Sequence, residues 1–369
     1  MIRDLFEQKP ELKKIILIAL IAIILLIILI TIFSSSNSQK ITYEQLENKM
    51  KEAATNYYKT NKDKLPKNGN SITISYNTLV ESGNIEKMDK YLENSNMCTG
   101  KVTVKNTNDK YIYTPYLDCG DDYKAIEFYS KVLDDNEIVS DKSGLYLQNG
   151  SKVFRGENIN NFVSIGNHLW RIVKIDSDNT VKLILYSGKI RTTWDNRYNS
   201  DKNSSTGKNI YSLSRLKETI DNLYNDETFL SDTIKSKLVS KPLCIGSRSI
   251  SDNINDGSIE CSQTLEGEYI GNLSLYEYIN ASLDAACISA DNNECQNYNY
   301  LIESETNFAW WLVTSVKDNS YQAYYVESQG SINTNNCSSY LYIRPTIYLG
   351  TDVLYSSGKG TLDNPYKIR

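Results

Sequence analysis

The first strong feature of the chain is a run without periodicity. Residues 15–33 (IILIALIAIILLIILITIF) are apolar throughout and carry no charge. As a helix rising about 1.5 Å per residue, the run would span roughly 28 Å, close to the hydrocarbon thickness of a bilayer. Helical periodicity begins after it. Thr42 followed by Gln45 has the spacing of a capping box. Tyr43, Leu46, Met50, Ala54, Tyr57 and Tyr58 then recur on one face. Pro66 and the stretch KNGN end that helix. A short second helix is expected near residues 76–82, closed by Gly83. Val102 and Val104, then Tyr111, Tyr113 and Leu117, alternate with polar residues as two strands of a hairpin.

From about residue 128 the pattern becomes strand-rich. HLWRIVKI (168–175) and VKLILY (181–186) flank DSDNT, which reads as a β-hairpin. Leu213, Leu216, Ile220, Leu223 and Tyr224 mark an amphipathic helix, and residues 275–281 a shorter one. Residues 310–315, 323–327 and 342–349 read as strands. Helices and antiparallel strands in separate runs imply α+β.

The apolar run ends in Thr31-Ile32-Phe33-Ser34, with no small-residue cleavage pattern and no cysteine close behind, so it is expected to be an uncleaved transmembrane anchor. Lys13 and Lys14 precede it, which places residues 1–14 in the cytoplasm and everything beyond the linker 34–40 outside the cell membrane. The chain carries −5 overall and residues 1–14 contribute +1, so the remainder stands at −6. That balance offers no footprint for nucleic acid. The 28 tyrosines against 7 phenylalanines suit partly wet surfaces that need a polar ring tip.

All seven cysteines come after the apolar run. They match an oxidising compartment, and no C-x₂-C or His–Cys cluster suggests a metal. If Asn108-Asp109 form a two-residue turn, facing residues have numbers summing to 217, as Cys98 and Cys119 do. A Cys98–Cys119 bridge closing the hairpin is therefore expected, with Pro115 requiring an edge strand. Among the rest, the close pairs Cys244–Cys261 and Cys287–Cys295 are expected, leaving Cys337 free.

An anchor, a helix and a small disulfide-closed sheet with the stretch LVESGNIEK resemble the soluble part of a pilin or pseudopilin over residues 41–123. The prepilin peptidase motif is missing. Further on, FRGENINNFVSIGNHLWRIVKIDSDNTVKLI, YIGNLSLYEYINAS, FAWWLVTS, YIRPTIYL and GKGTLDNPYKI occur in order. Over about residues 144–369 they resemble uncharacterised surface domains of Gram-positive bacteria, with distant C-type-lectin and formylglycine-generating-enzyme character. The resemblances imply a small pilin-like domain at 41–125 and a C-type-lectin-like antiparallel α+β domain at 128–369.

The loop 187–208 is polar yet carries Trp194 and Tyr198 beside Asp195 and Arg197. Aromatics among polar groups suit carbohydrate or peptide contact, so these four are the candidate ligand-binding residues. Trp170, Trp310 and Trp311 are expected in strands, where an aromatic is most often core, although Trp310 and Trp311 face opposite sides and leave room for one exposed ring. His168 is the only histidine and sits beside a strand, where a structural role is the ordinary one. No nucleophile elbow, P-loop or zinc motif is present. The expected function is a membrane-anchored surface protein whose head binds a cell-wall or host glycan or a surface protein, without cofactor or metal. The alternatives are an assembly component packing with pilin-like partners and an enzyme on a formylglycine-generating-enzyme-like scaffold.

Overall fold

The computed structural model describes residues 40–107, 109–186, 190–284, 286–287, 298–302 and 308–369. It divides into two compact units, one ending at Lys124 and one running from Ala125 to Arg369. Both are mixed α+β, and the second is mostly sheet. The expected membrane-spanning helix at 15–33 lies outside the described residues, and among those described no helix is long and apolar enough to cross a membrane. The fold class is corrected accordingly. The longest helix described carries Glu44, Lys49, Lys51, Glu52 and Lys59 among its residues, which suits one face against a core and the other in water.

In the first unit that helix, α1 (Tyr43–Thr60), starts at the Thr42–Gln45 capping box and buries Leu46, Met50, Ala53, Ala54 and Tyr58. A three-stranded antiparallel sheet, β1 (Ser71–Ser75), β2 (Thr99–Thr107) and β3 (Lys110–Asp118), forms the other layer. A short helix, α2 (Tyr76–Glu81), capped by the Ser75 side chain, leads the chain out of β1. Thr99 faces Asp118 and Thr107 faces Lys110, so the hairpin register sums to 217, and Cys98 and Cys119 are joined. Pro115 is accommodated because β3 is an edge strand. The buried carboxylate of Glu47 accepts hydrogen bonds from Leu117 N at 3.1 Å and the Tyr123 hydroxyl at 2.9 Å. A helix side chain thus satisfies a backbone donor of the edge strand that no neighbouring strand reaches.

The second unit opens with α3 (Phe128–Asp135), then β4 (Gly144–Gln148), β5 (Ser151–Arg155), β6 (Phe162–Ile165), β7 (His168–Ile175), β8 (Val181–Leu185) and β9 (Ile190–Thr193). Helices α4 (Arg215–Asn225) and α5 (Asp232–Lys235) precede β10 (Lys241–Cys244), β11 (Thr264–Glu268), β12 (Ile270–Gly271) and α6 (Leu275–Asn280). The rest is sheet: β13 (Trp310–Ser315), β14 (Gln322–Val326), β15 (Ile332–Asn336), β16 (Tyr340–Ile343), β17 (Thr346–Leu349), β18 (Tyr355–Ser357) and β19 (Tyr366–Ile368). A nine-stranded sheet runs β12-β17-β8-β7-β6-β19-β18, with β5 also on β7 and β4 on β5; a five-stranded sheet runs β15-β14-β13-β16-β9.

The expected strand 342–349 is broken. Arg344-Pro345 separates β16, in the smaller sheet, from β17, in the larger. Proline has no N–H for a ladder and restricts the residue before it, so the chain changes sheets there. Arg344 is fully buried at the switch and donates to the Leu185 and Leu301 carbonyls. Trp310 and Trp311 are both buried, as the core reading has it, and neither ring is open to solvent. Their strand is central, with β14 and β16 on either side, and both its faces are covered.

Candidate functional site

The second unit holds a polar cleft of about 420 Å³. The β4–β5 hairpin contributes Gln148 and Ser151, β7 contributes Lys174, α6 contributes Tyr276, Glu277 and Asn280, and the loop before β11 contributes Asp256 and Ser258. Each wall has a local reason to stand where it does. Helix α6 begins at a capping box in which Ser274 Oγ accepts from Glu277 N and Glu277 Oε2 accepts from Ser274 N. The loop is fastened by the Cys244–Cys261 disulfide and by a fully buried, two-pronged ion pair, Arg248 Nε to Glu260 Oε1 at 2.8 Å and Nη2 to Oε2 at 3.0 Å. Glu260 Oε1 also accepts from Tyr276 N at 3.2 Å, tying loop to helix. Gly257 has φ +86°, and a Cβ there would lie 2.8 Å from the Tyr276 ring, so only glycine lets the loop close against it.

On one side of the cleft amide and guanidinium groups interlock. Arg155 Nη2 donates to Gln148 Oε1 at 2.6 Å and Asn280 Oδ1 at 2.5 Å. Asn280 Nδ2 donates to Gln148 Oε1 at 2.7 Å, and Gln148 Nε2 to the Tyr276 hydroxyl at 2.8 Å. On the other side Lys174 lies 2.9 Å from Asp176 and 3.9 Å from Glu277, whose Oε1 is 2.5 Å from the buried Lys182 ammonium. Burial opposes the charge of Lys174, but Tyr348, Glu277 and Asp176 outweigh it and hold its pKa above the ordinary lysine value. Burial likewise opposes ionisation of Glu277, yet Lys182 and Lys174 keep its carboxyl below the usual range. Hydrogen bonds from the Ser258 side chain and backbone lower Asp256. These shifts move Lys174, Glu277 and Asp256 away from neutrality, whereas a general acid or base works best with a pKa near the working pH. The cleft is thus built to present fixed donors and acceptors around the Tyr276 ring.

The residues expected to bind ligand lie elsewhere. Trp194 has no exposed surface; its indole donates to the Leu312 carbonyl at 3.0 Å and packs edge-on to Tyr211. Asp195 is also fully buried, accepting from Arg197 Nε at 2.8 and 3.0 Å and from Lys208 N at 2.8 Å. Only Tyr198 presents an open ring, with its hydroxyl on Asn203. The polar stretch folds back on itself, because β9 takes its first part into the smaller sheet and Asp195 N bonds to the Cys337 carbonyl. Of the four, Trp194 and Asp195 are therefore packing residues, Arg197 is partly exposed and Tyr198 is open to solvent. Residues 187–189, the start of the stretch, lie outside the described residues.

Cys337 is free and buried; burial, with Asp195 nearby, pushes its thiol well above the ordinary range, so it stays protonated and unreactive. Cys287 is in a disulfide, and its expected partner Cys295 lies outside the described residues. Among the described residues no three His, Cys, Asp or Glu side chains converge as a metal site.

Sequence reasoning missed the cleft. The one available signal was Ser274-x-x-Glu277, a second capping-box spacing inside YIGNLSLYEYINAS. No curated protein and no solved structure matches the chain. Residues 179–351, which supply Asp256, Ser258, Tyr276, Glu277 and Asn280 to the cleft but not Gln148 or Lys174, match a domain of unknown function, DUF6273.

Proposed function

We propose that the second unit is an extracytoplasmic binding module that holds a neutral, hydroxyl-rich ligand, a glycan, in the cleft around Tyr276. The observation that carries this reading is the interlocked set Gln148, Arg155, Asn280 and Tyr276 facing Lys174 and Glu277 across about 420 Å³. A sugar presents hydroxyls that donate and accept together with an apolar ring face. Amides, a lysine–glutamate pair and a tyrosine ring answer all three demands. Lys174 and Arg155 balance Glu277 and Asp256 in charge, which favours an uncharged ligand over an ion. The Cys98–Cys119 and Cys244–Cys261 disulfides support an oxidising compartment. The motif order, with its surface-domain and distant lectin character, supports the same reading.

Calorimetric titration of the full chain with a panel of neutral oligosaccharides, including cell-wall fragments, tests it. Native protein should bind at least one, and Tyr276→Ala should weaken that binding at least about tenfold with little change in Tm, since removing an aromatic anchor costs about 2 kcal/mol or more. Absence of binding to every member, or equal binding by the folded variant, would refute the reading.

A further inference from the structure

A second cavity, of about 570 Å³, lies in the same unit and shares no lining residue with the polar cleft. Its walls include Asn158, Asn160, Arg171, Tyr186, Asn299 and Tyr300. We propose that it binds an oxyanion, the phosphate or carboxylate group of a small molecule or of a polymer, through donors of the Asn299–Tyr300 segment in the field of Arg171 and Arg344.

The first support is a surplus of donors. The Tyr300 hydroxyl and Arg344 Nη2 are both buried and have no hydrogen-bond partner among the described residues. Asn299 Nδ2 also has no partner in good geometry, although the Tyr278 hydroxyl is near it. Asn299 is oriented by its own Oδ1, which accepts from Leu301 N at 2.9 Å, so Nδ2 is the end left over. A buried donor without an acceptor costs free energy. Two of them, one on this stretch and one on the guanidinium backing it, with Asn299 Nδ2 held only loosely by the Tyr278 hydroxyl, call for a ligand rich in acceptor oxygens.

The second support is charge. Arg344 Nη1 donates to the Leu301 carbonyl at 2.9 Å, so its guanidinium rests against the segment that forms the wall. Its other acceptor is the Leu185 carbonyl at 3.0 Å, and its cation sits 5.0 Å from the Trp310 ring centroid. No carboxylate pairs with it among the described residues, and a buried cation without a counter-charge is costly. Arg171 lines the cavity itself, 5.0 Å from the Tyr300 ring centroid, with Nε donating to Asn161 Oδ1 and Nη2 to the Ile159 carbonyl at 3.1 Å. Burial lowers Arg171 to about 9 and Arg344 to about 10, and each therefore remains cationic at neutral pH. A neutral sugar or water would satisfy the donors but leave Arg344 without a counter-charge, since Glu157, the carboxylate in the cavity wall, does not pair with it among the described residues.

Titration of the full chain with inorganic phosphate, glucuronate and glucose, read by calorimetry and thermal shift, tests the site. Phosphate or glucuronate should bind and raise Tm, and glucose should do neither through this cavity. Binding by phosphate alone points to a phosphate-bearing ligand, and by glucuronate alone to a carboxylate-bearing one. Tyr300→Phe keeps the ring and removes one donor; it should weaken anion binding at least about tenfold while the ligand-free Tm is unchanged or higher. The anion effect should persist in Tyr276→Ala, which alters only the other cleft. The proposal is overturned if neither anion binds, if Tyr300→Phe binds as native does, or if glucose binds as well as the anions and loses that binding in Tyr300→Phe.

Discussion

A tryptophan in a polar stretch has two opposite readings, a ligand platform or a core anchor, and burial decides between them. Trp194 has no exposed surface and a satisfied indole N–H. Trp194→Ala should therefore cost about 3–5 kcal/mol of unfolding free energy in urea titrations, as truncation of a buried aromatic does. A loss near zero would return the ring to the surface. Glu277 shows the converse, a charge that local sequence presents as a helix cap and the fold puts to a second use. Its partner Lys182 is 95 residues away, so no spacing rule could have joined them. Glu277→Gln leaves Lys182 buried without its counter-charge and should cost about 3–5 kcal/mol at pH 7. The folded pKa of Glu277 is depressed. The stability that its ionisation contributes is therefore present above the unfolded carboxylate value, about 4.3, and lost as pH falls through the lower folded value. The difference between native and variant in urea melts should shrink in the same window. A difference independent of pH would mean that the carboxylate charge is not what matters.

At the scale of elements, local signals read well and long-range ones did not. The capping box at Thr42, the period of α1 and the 217 register of the β2–β3 hairpin are fixed by residues within a turn or a strand of one another, and the structure carries all three. The first-unit sheet also has a strand, β1, whose SITIS alternates Ile72 and Ile74 with polar residues, a legible signal that the expected elements left out. It exists because β2 offers it a ladder. The strand expected across 342–349 failed for a related reason: periodicity continues through Arg344-Pro345, while the backbone cannot. Closing a loop with Cys98–Cys119, 21 residues apart, should stabilise the first unit by about 3 kcal/mol. Replacing both cysteines with serine should lower its unfolding midpoint, while the midpoint of the second unit stays where it was. If the two units lost stability together, the division at Lys124 would not describe their folding.

For the whole molecule, the fold class α+β was legible in the order of helical and alternating patterns, and the cleft was not. Gln148, Lys174, Asp256 and Tyr276 come from four elements brought together only by the pairing of β5 with β7 and by the fastening of the loop through Cys244–Cys261. The close pair Cys244–Cys261 was legible in the sequence, but the pairing of β5 with β7 leaves no signature in a single stretch, and of the aromatics at 194–198 Trp194 proved to be packing while Tyr198 is exposed. A crystal structure of the full chain soaked with the best-binding neutral oligosaccharide should show a sugar ring against Tyr276, with its hydroxyls in hydrogen-bond reach of Gln148, Asn280 and Lys174. A sugar bound with the cleft empty, whether on Tyr198 or on any other surface, would contradict the assignment of the binding site.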